Sequence, residues 1–300
     1  MPTKYTLTDG RSVLLPDVHC MIEGPPNSGK SHFCASAEKP MLVLAADPLD
    51  KLQAYFDRGN WDGQVHTGAQ GQPVWIITSR ATGKTIIQIE GYFDDNPQAP
   101  VAYQALDSRI VSLFDEIRAG VWRTVVVDSW SQLEWIARLR RMYGALACKA
   151  NENPYFAAKD DLEQLARSRL VNFRCNVIVV FHIETKVLRN KAGTVIKDAR
   201  EDVGGGELSY SIAAIGQLKE LAGVFGECYL SVAPLDGTDN YTIQTRKDHN
   251  FKTLQSRIQA PSPCKNEWRE IFANKINALA ALLPPAQPAP APAAPEEQPS

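Results

Sequence analysis

Gly24, Gly29, Lys30 and Ser31 stand in the stretch IEGPPNSGKSHF, with four residues between the two glycines. This is the G-x-x-x-x-G-K-[ST] spacing of a phosphate-binding loop. Each type has a job there. Glycines let the backbone point successive N–H groups at phosphate oxygens. The Lys30 ammonium reaches the β- and γ-phosphates, and the Ser31 hydroxyl takes one Mg²⁺ position. The candidate nucleotide-binding set is therefore Gly24, Pro25, Pro26, Asn27, Ser28, Gly29, Lys30, Ser31 and His32, with ATP and Mg²⁺ as ligands. Lys30 is expected in a solvent-facing loop that contributes little packing. A second GKT, at 83–85, fails the same spacing because residue 78 is Thr, and β-rich residues rather than a helix follow it. It reads as a hairpin turn.

A phosphate loop that uses Mg²⁺ needs an acid beside it. The run RTVVVDSW supplies Asp128 at the carboxyl end of an apolar strand, where its carboxylate can hold a Mg²⁺ water beside Ser31. Ser129 reads as the cap of the helix that follows. MLVLAAD ends in Asp47, which reads either as the group that orients an attacking water or as a residue that starts the DPLD turn or caps the following helix. NVIVVFH ends in His182, a candidate reporter of the γ-phosphate whose bland reading is packing; Glu184 competes for that role. Ligands of open parallel sheets sit beyond the carboxyl ends of the strands, so these strand ends would share one crevice.

Elements that could position them are visible in the pattern. Short Val/Ile/Leu runs alternate with amphipathic helical stretches, which suits strands buried on both faces and joined by helical crossovers. The fold class read from this is α/β, a mostly parallel sheet covered by helices on both faces. VWIITSRATGKTIIQIEGYF reads as a hairpin, and ECYLSVAP with NYTIQTRKD as antiparallel strands extending one edge. Residues 1–283 form one domain in this reading, and the Pro/Ala-rich 284–300 a disordered tail. The net charge of −2 excludes a broadly basic surface, so any nucleic-acid contact must be a local patch. Apolar runs fall short of the roughly 18 residues that a membrane span needs. The first residues lack the pattern of an export leader, and the six cysteines are scattered without a C-x-x-C pair. A cytoplasmic protein without a cysteine-bound metal is the expectation.

TVVVDSWSQLEW is similar to the acid-bearing strand of RecA-like ATPases, where apolar residues lead to Asp-Ser and then a helix carrying a Leu. Taken with the phosphate loop, the chain resembles the core-only RecA-like P-loop ATPases of bacteriophages, linked to single-strand annealing and recombination, over roughly residues 18–258. The resemblance implies a catalytic set of Lys30, Asp47, Asp128 and His182. Asp47 falls where the family usually has a water-activating Glu, and His182 where a polar residue reports the γ-phosphate to a DNA-binding loop. It also implies that the segments after the Asp128 strand with its helix and after the His182 strand hold single-stranded DNA. The first carries Arg138, Arg140, Arg141 and Lys149 among Tyr143, Tyr155 and Phe156; the second carries Lys186, Arg189, Lys191, Lys197 and Arg200. Lys247, Lys252 or Arg257 would reach a neighbouring subunit's γ-phosphate in a homo-oligomer. Read by residue type alone, these charge runs are solvated faces. The implied function is ATP binding and hydrolysis on single-stranded DNA in phage recombination, annealing or replication, in the host cytoplasm. The alternatives are a nucleotide-dependent interaction module or a P-loop kinase without DNA binding, for which no lid with paired arginines is evident.

Overall fold

The computed structural model describes residues 3–24, 27–144, 146–185, 207–209, 228–234, 241–245 and 255–284. Its strands are β1 (Thr3–Thr6), β2 (Ser12–Leu15), β3 (His19–Gly24), β4 (Met41–Ala45), β5 (Asn60–Trp61), β6 (His66–Thr67), β7 (Pro73–Thr78) and β8 (Thr85–Gly91). They continue with β9 (Thr124–Asp128), β10 (Asn176–Thr185), β11 (Glu207–Ser209), β12 (Cys228–Pro234), β13 (Tyr241–Gln244), β14 (Gln255–Ser256) and β15 (Cys264–Lys265). The α-helices are α1 (Lys30–Ala35), α2 (Gln53–Phe56), α3 (Ala102–Arg118), α4 (Trp130–Tyr143), α5 (Pro154–Ser168) and α6 (Ala273–Ala281).

One sheet runs β15-β13-β12-β3-β10-β9-β4-β8-β7-β5, with β1 and β2 forming a separate pair. From β12 through β8 every neighbouring pair is parallel. The fold is thus α/β with a mostly parallel sheet flanked by helices. β7 and β8 form the expected hairpin, and its turn closes through the Ser79 N–H on the Lys84 carbonyl, with Gly83 at φ 66°. The second GKT therefore sits in a hairpin turn. ECYLSVAP (β12) and the strand of NYTIQTRKD (β13) pair antiparallel and extend one edge as expected, with β14 and β15 adding further antiparallel pairs. One point is corrected: β12 itself runs parallel to β3 and so continues the parallel sheet. Both pairings satisfy the same backbone groups, so a short apolar run does not by itself reveal its direction.

The apolar runs are continuous because both faces are covered. Val125 and Val127 on β9 face the core under α3, α4 and α5, together with Leu42, Leu44, Val177 and Val179. Val126 faces the opposite core with Val43, Ile178, Val180 and residues of α1. Successive strand residues alternate faces, so every position of TVVV must be apolar or small. After β4 the chain forms a 3₁₀ turn (Leu49–Leu52) followed by the short α2. The last helical stretch likewise begins as a 3₁₀ turn at Trp268–Phe272 before α6. Among the described residues no helix is long and apolar enough to cross a membrane.

Register places the chemistry. Gly24 at the end of β3 pairs with His182 on β10, and Asp128 at the end of β9 pairs with Ala45 on β4. The Asp128 carbonyl also accepts from the N–H groups of Ala46 and Asp47, at 2.9 and 3.3 Å. The ends of β3, β4 and β9 are thereby locked side by side, next to His182, which does not end its strand as expected because β10 continues to Thr185 by pairing with β11.

Candidate functional site

The loop between β3 and α1 carries left-handed backbone at Asn27 (φ 61°) and Gly29 (φ 82°). Asn tolerates that region through its short polar side chain, and Gly29 has no Cβ to strain. Pro25 and Pro26 lie outside the described residues. Between the two left-handed positions Ser28 is buried, and its Oγ has no partner among the described residues. A buried hydroxyl without a partner is costly unless a ligand completes it. Asn266, ahead of the last 3₁₀ turn, donates to the Gly29 carbonyl at 3.0 Å and pins the loop from outside. The Trp268 N–H donates to Ser36 Oγ at 2.7 Å, so this segment also braces the end of α1.

Lys30 departs from its expected position. It is only 4% exposed, and its ammonium folds back onto the Gly24 carbonyl at 2.8 Å. Burial pushes it down to about 8, against the pull of Asp128 and Asp47. The carbonyl contact offers the ammonium a polar neighbour inside the folded loop.

Ser31 Oγ donates to Asp128 Oδ2 at 2.9 Å. The same oxygen accepts a second hydrogen bond, at 2.8 Å, from the hydroxyl of Tyr55 on α2. Tyr55 is fully buried, and burial together with the Asp128 charge holds its phenol far above its ordinary range, so it remains a donor. Burial first, and then the Asp47 charge, raise Asp128 above the usual carboxylate range, while Tyr55 and Ser31 oppose the shift. Sequence reasoning missed Tyr55. Its only signal was a position on the short helix that follows the Asp47 strand.

Asp47 does not cap the 3₁₀ turn after it, whose N-terminus has no side-chain cap. Its Oδ2 instead accepts from His182 Nε2 at 2.8 Å. Burial raises the Asp47 carboxyl, but the hydrogen bond and charge of His182 and the Ser129 hydroxyl outweigh it and hold the group below its usual range. The His182 N–H donates to Ser131 Oγ at 3.0 Å, so the imidazole is anchored from its backbone as well. Ser129 caps α4 by accepting from the Gln132 N–H, as its position suggested. One ligating atom each from Asp47, Asp128 and His182 lies within 4.8 Å of the others.

These groups line one cavity of about 410 Å³ that also includes Ser28, Ser31 and His32. Exposed Lys51, which no motif marked, stands at its edge. His32 is exposed and its Nε2 lies 3.2 Å from Arg58 Nη2. The donor set fits a Mg²⁺–phosphate ligand: hard oxygens from Ser31 and Asp128, a buried cation at Lys30, and an orphaned hydroxyl at Ser28.

The expected DNA contacts are only partly described. Arg141 is turned into the structure, where its Nε donates to Asp161 Oδ2 at 2.7 Å and ties α4 to α5. Arg140 lies over the Tyr103 ring, 5.0 Å from its centroid. Arg257 is exposed beside β14 and is not among the residues lining that cavity. Lys186, Arg189, Lys191, Lys197, Arg200, Lys247, Lys252 and residues 285–300 of the tail lie outside the described residues. Comparison with protein-family models and with curated proteins finds no match to this chain.

Proposed function

We propose that the chain is a Mg²⁺-dependent ATPase of RecA-like type that acts on single-stranded DNA. The observation that carries this reading is the convergence of Lys30, Ser31, Asp128, Asp47 and His182 on one cavity beyond the carboxyl ends of β3, β4 and β9, next to β10. In this reading the loop N–H groups and Ser28 Oγ hold the phosphate oxygens. Lys30 exchanges the Gly24 carbonyl for the β- and γ-phosphates and stabilises the charge that develops as the phosphoryl group transfers. Ser31 and Asp128 would hold Mg²⁺, which when bound would neutralise and orient those phosphates. Tyr55 fixes the Asp128 carboxylate in place.

Asp47, whose carboxyl despite burial is held below its usual range by His182, lines the cavity beside Asp128 and is the group assigned to orient the attacking water. Its contact with His182 gives that role a regulator. A γ-phosphate that engages the imidazole competes with Asp47 for it, so nucleotide state is passed to the chain that follows β10. Asp in place of the Glu usual in the family shortens the reach by one methylene, which favours slow turnover. The single-strand half of the reading rests on the resemblance and on the aromatic and basic residues of α4 and α5.

The test is ATP turnover by the full chain in Mg²⁺, with and without single-stranded DNA. Mg²⁺-dependent turnover that rises with the strand supports the reading. Absence of turnover in both conditions contradicts it and leaves a nucleotide-dependent interaction module.

A further inference from the structure

A second cavity, of about 380 Å³, lies against the Asp47–His182 pair and is walled by Ser131, Gln132, Trp135 and Arg138 of α4. No motif pointed to it. From its chemistry we infer that it takes one unpaired nucleobase of a single strand, stacked on Trp135. The inference rests on the single-strand reading above and gives that reading a place on the molecule.

Trp135 presents an indole that is 44% exposed, although α4 is otherwise anchored by buried Trp130, Leu133, Ile136 and Ala137. An exposed indole face on a cavity wall is a platform for a planar heteroaromatic ring. The Arg138 guanidinium lies 5.8 Å from the Trp135 ring centroid and 4.9 Å from that of Tyr155. Its Nη2 donates to Glu134 at 2.9 Å, which balances the charge. Its Nε is buried and meets no acceptor among the described residues. An uncompensated buried donor beside an open aromatic face asks for an acceptor on the ligand, and base edges carry such acceptors. Gln132 adds an amide that both donates and accepts. Arg138 is balanced by Glu134, and Lys51 at the same wall is countered by Asp47, so the lining carries no excess positive charge and suits the neutral base rather than the phosphate. A duplex cannot fill it, since paired and stacked bases have no free face to offer.

Position gives the cavity its consequence. Asp47 and His182 line both this cavity and the phosphate cavity. A base on one side and a γ-phosphate on the other therefore act on the same hydrogen-bonded pair. Whatever factor the nucleotide adds to base affinity, the base must add to nucleotide affinity.

The experiment uses the full-length chain and 5′-fluorescein oligonucleotides, dT and U, read by anisotropy with a slowly hydrolysed ATP analogue. Trp135→Ala is expected to weaken binding by about 5- to 140-fold, the range of one lost stack, and Trp135→Phe to restore most of it. The dT and U arms decide which single strand is the source of the base. Substituting 5-iodouracil for one base should give a photo-crosslink in the peptide that contains Trp135, a readout that needs no folded variant. Parent-like affinity in Trp135→Ala, or crosslinks mapping only elsewhere, would overturn the pocket. If the parent hydrolyses ATP but binds neither strand, the pocket falls while the ATPase reading stands. If the parent binds strands through Trp135 but never hydrolyses ATP, the ATPase reading falls and the pocket survives.

Discussion

Tyr55→Phe removes one oxygen from a fully buried ring and leaves the ring itself in place. What is lost is the 2.8 Å hydrogen bond to Asp128 Oδ2. A hydrogen bond to a charged group contributes about 1.5–3 kcal/mol, and a neutral one about 0.5–1.5 kcal/mol. Asp128 is fully buried beside Asp47, with Ser31 as its other described donor to the same oxygen, so a cost of about 2 kcal/mol is expected. The assay is a double-mutant cycle in urea, with Asp128→Asn as the second substitution. Asparagine keeps the shape and removes the charge, so Tyr55→Phe in that background should cost about 1 kcal/mol or less. The coupling between the two positions should then be about 1 kcal/mol, as for residues in direct contact. The same variant should need more Mg²⁺ for half-maximal turnover, because the carboxylate is no longer held toward the metal. An equal cost of Tyr55→Phe in both backgrounds would refute the reasoning and reduce Tyr55 to packing.

Lys30 titrates at about 8 without nucleotide, below the ordinary 10.5. Above about pH 8 the Kd for ATP should climb toward tenfold per pH unit, while staying flat below pH 7; a flat Kd up to pH 9.5 would contradict this. The nucleotide-free protein should also gain stability between pH 8 and 10.5, where the unfolded chain holds the extra proton. Asp47→Asn should retain ATP binding but lose about 10²-fold or more in turnover, the usual effect of removing a proton-transfer group. Parent-like turnover would make Asp47 a turn residue after all. Arg141→Ala should cost about 2 kcal/mol of stability through the lost Asp161 bond and leave oligonucleotide affinity unchanged. A large affinity loss without destabilisation would return Arg141 to the strand-binding surface.

Much of the site was legible because its residues end apolar runs. An apolar run on a doubly covered strand has to stop at a polar residue, so Asp47, Asp128 and His182 announced themselves, and the sheet brought their ends together. The loop was legible because its spacing is a backbone requirement. Tyr55 and Asn266 were not, since each reaches the site through packing of an element distant in sequence. Lys30's burial was hidden for a related reason: its ammonium turns back onto Gly24, a contact no local pattern encodes. The direction of β12 was misread because strand pairing depends on the crossover before it, not on the run itself. Arg141 looked like a solvated or DNA-facing charge until α5 placed Asp161 opposite it. The cavity on Trp135 was obscured in the same way, by an indole that helical spacing alone could not distinguish from core.

The central claim is that the Gly24–Ser31 loop binds and cleaves a nucleotide with Mg²⁺. The most direct measurement is steady-state ATP turnover of the parent and of Lys30→Ala, each in Mg²⁺ and in EDTA, with circular dichroism to establish that both are folded. The account predicts turnover in the parent that EDTA abolishes, and turnover lost in folded Lys30→Ala. A folded Lys30→Ala protein that hydrolyses ATP within a few-fold of the parent would contradict it.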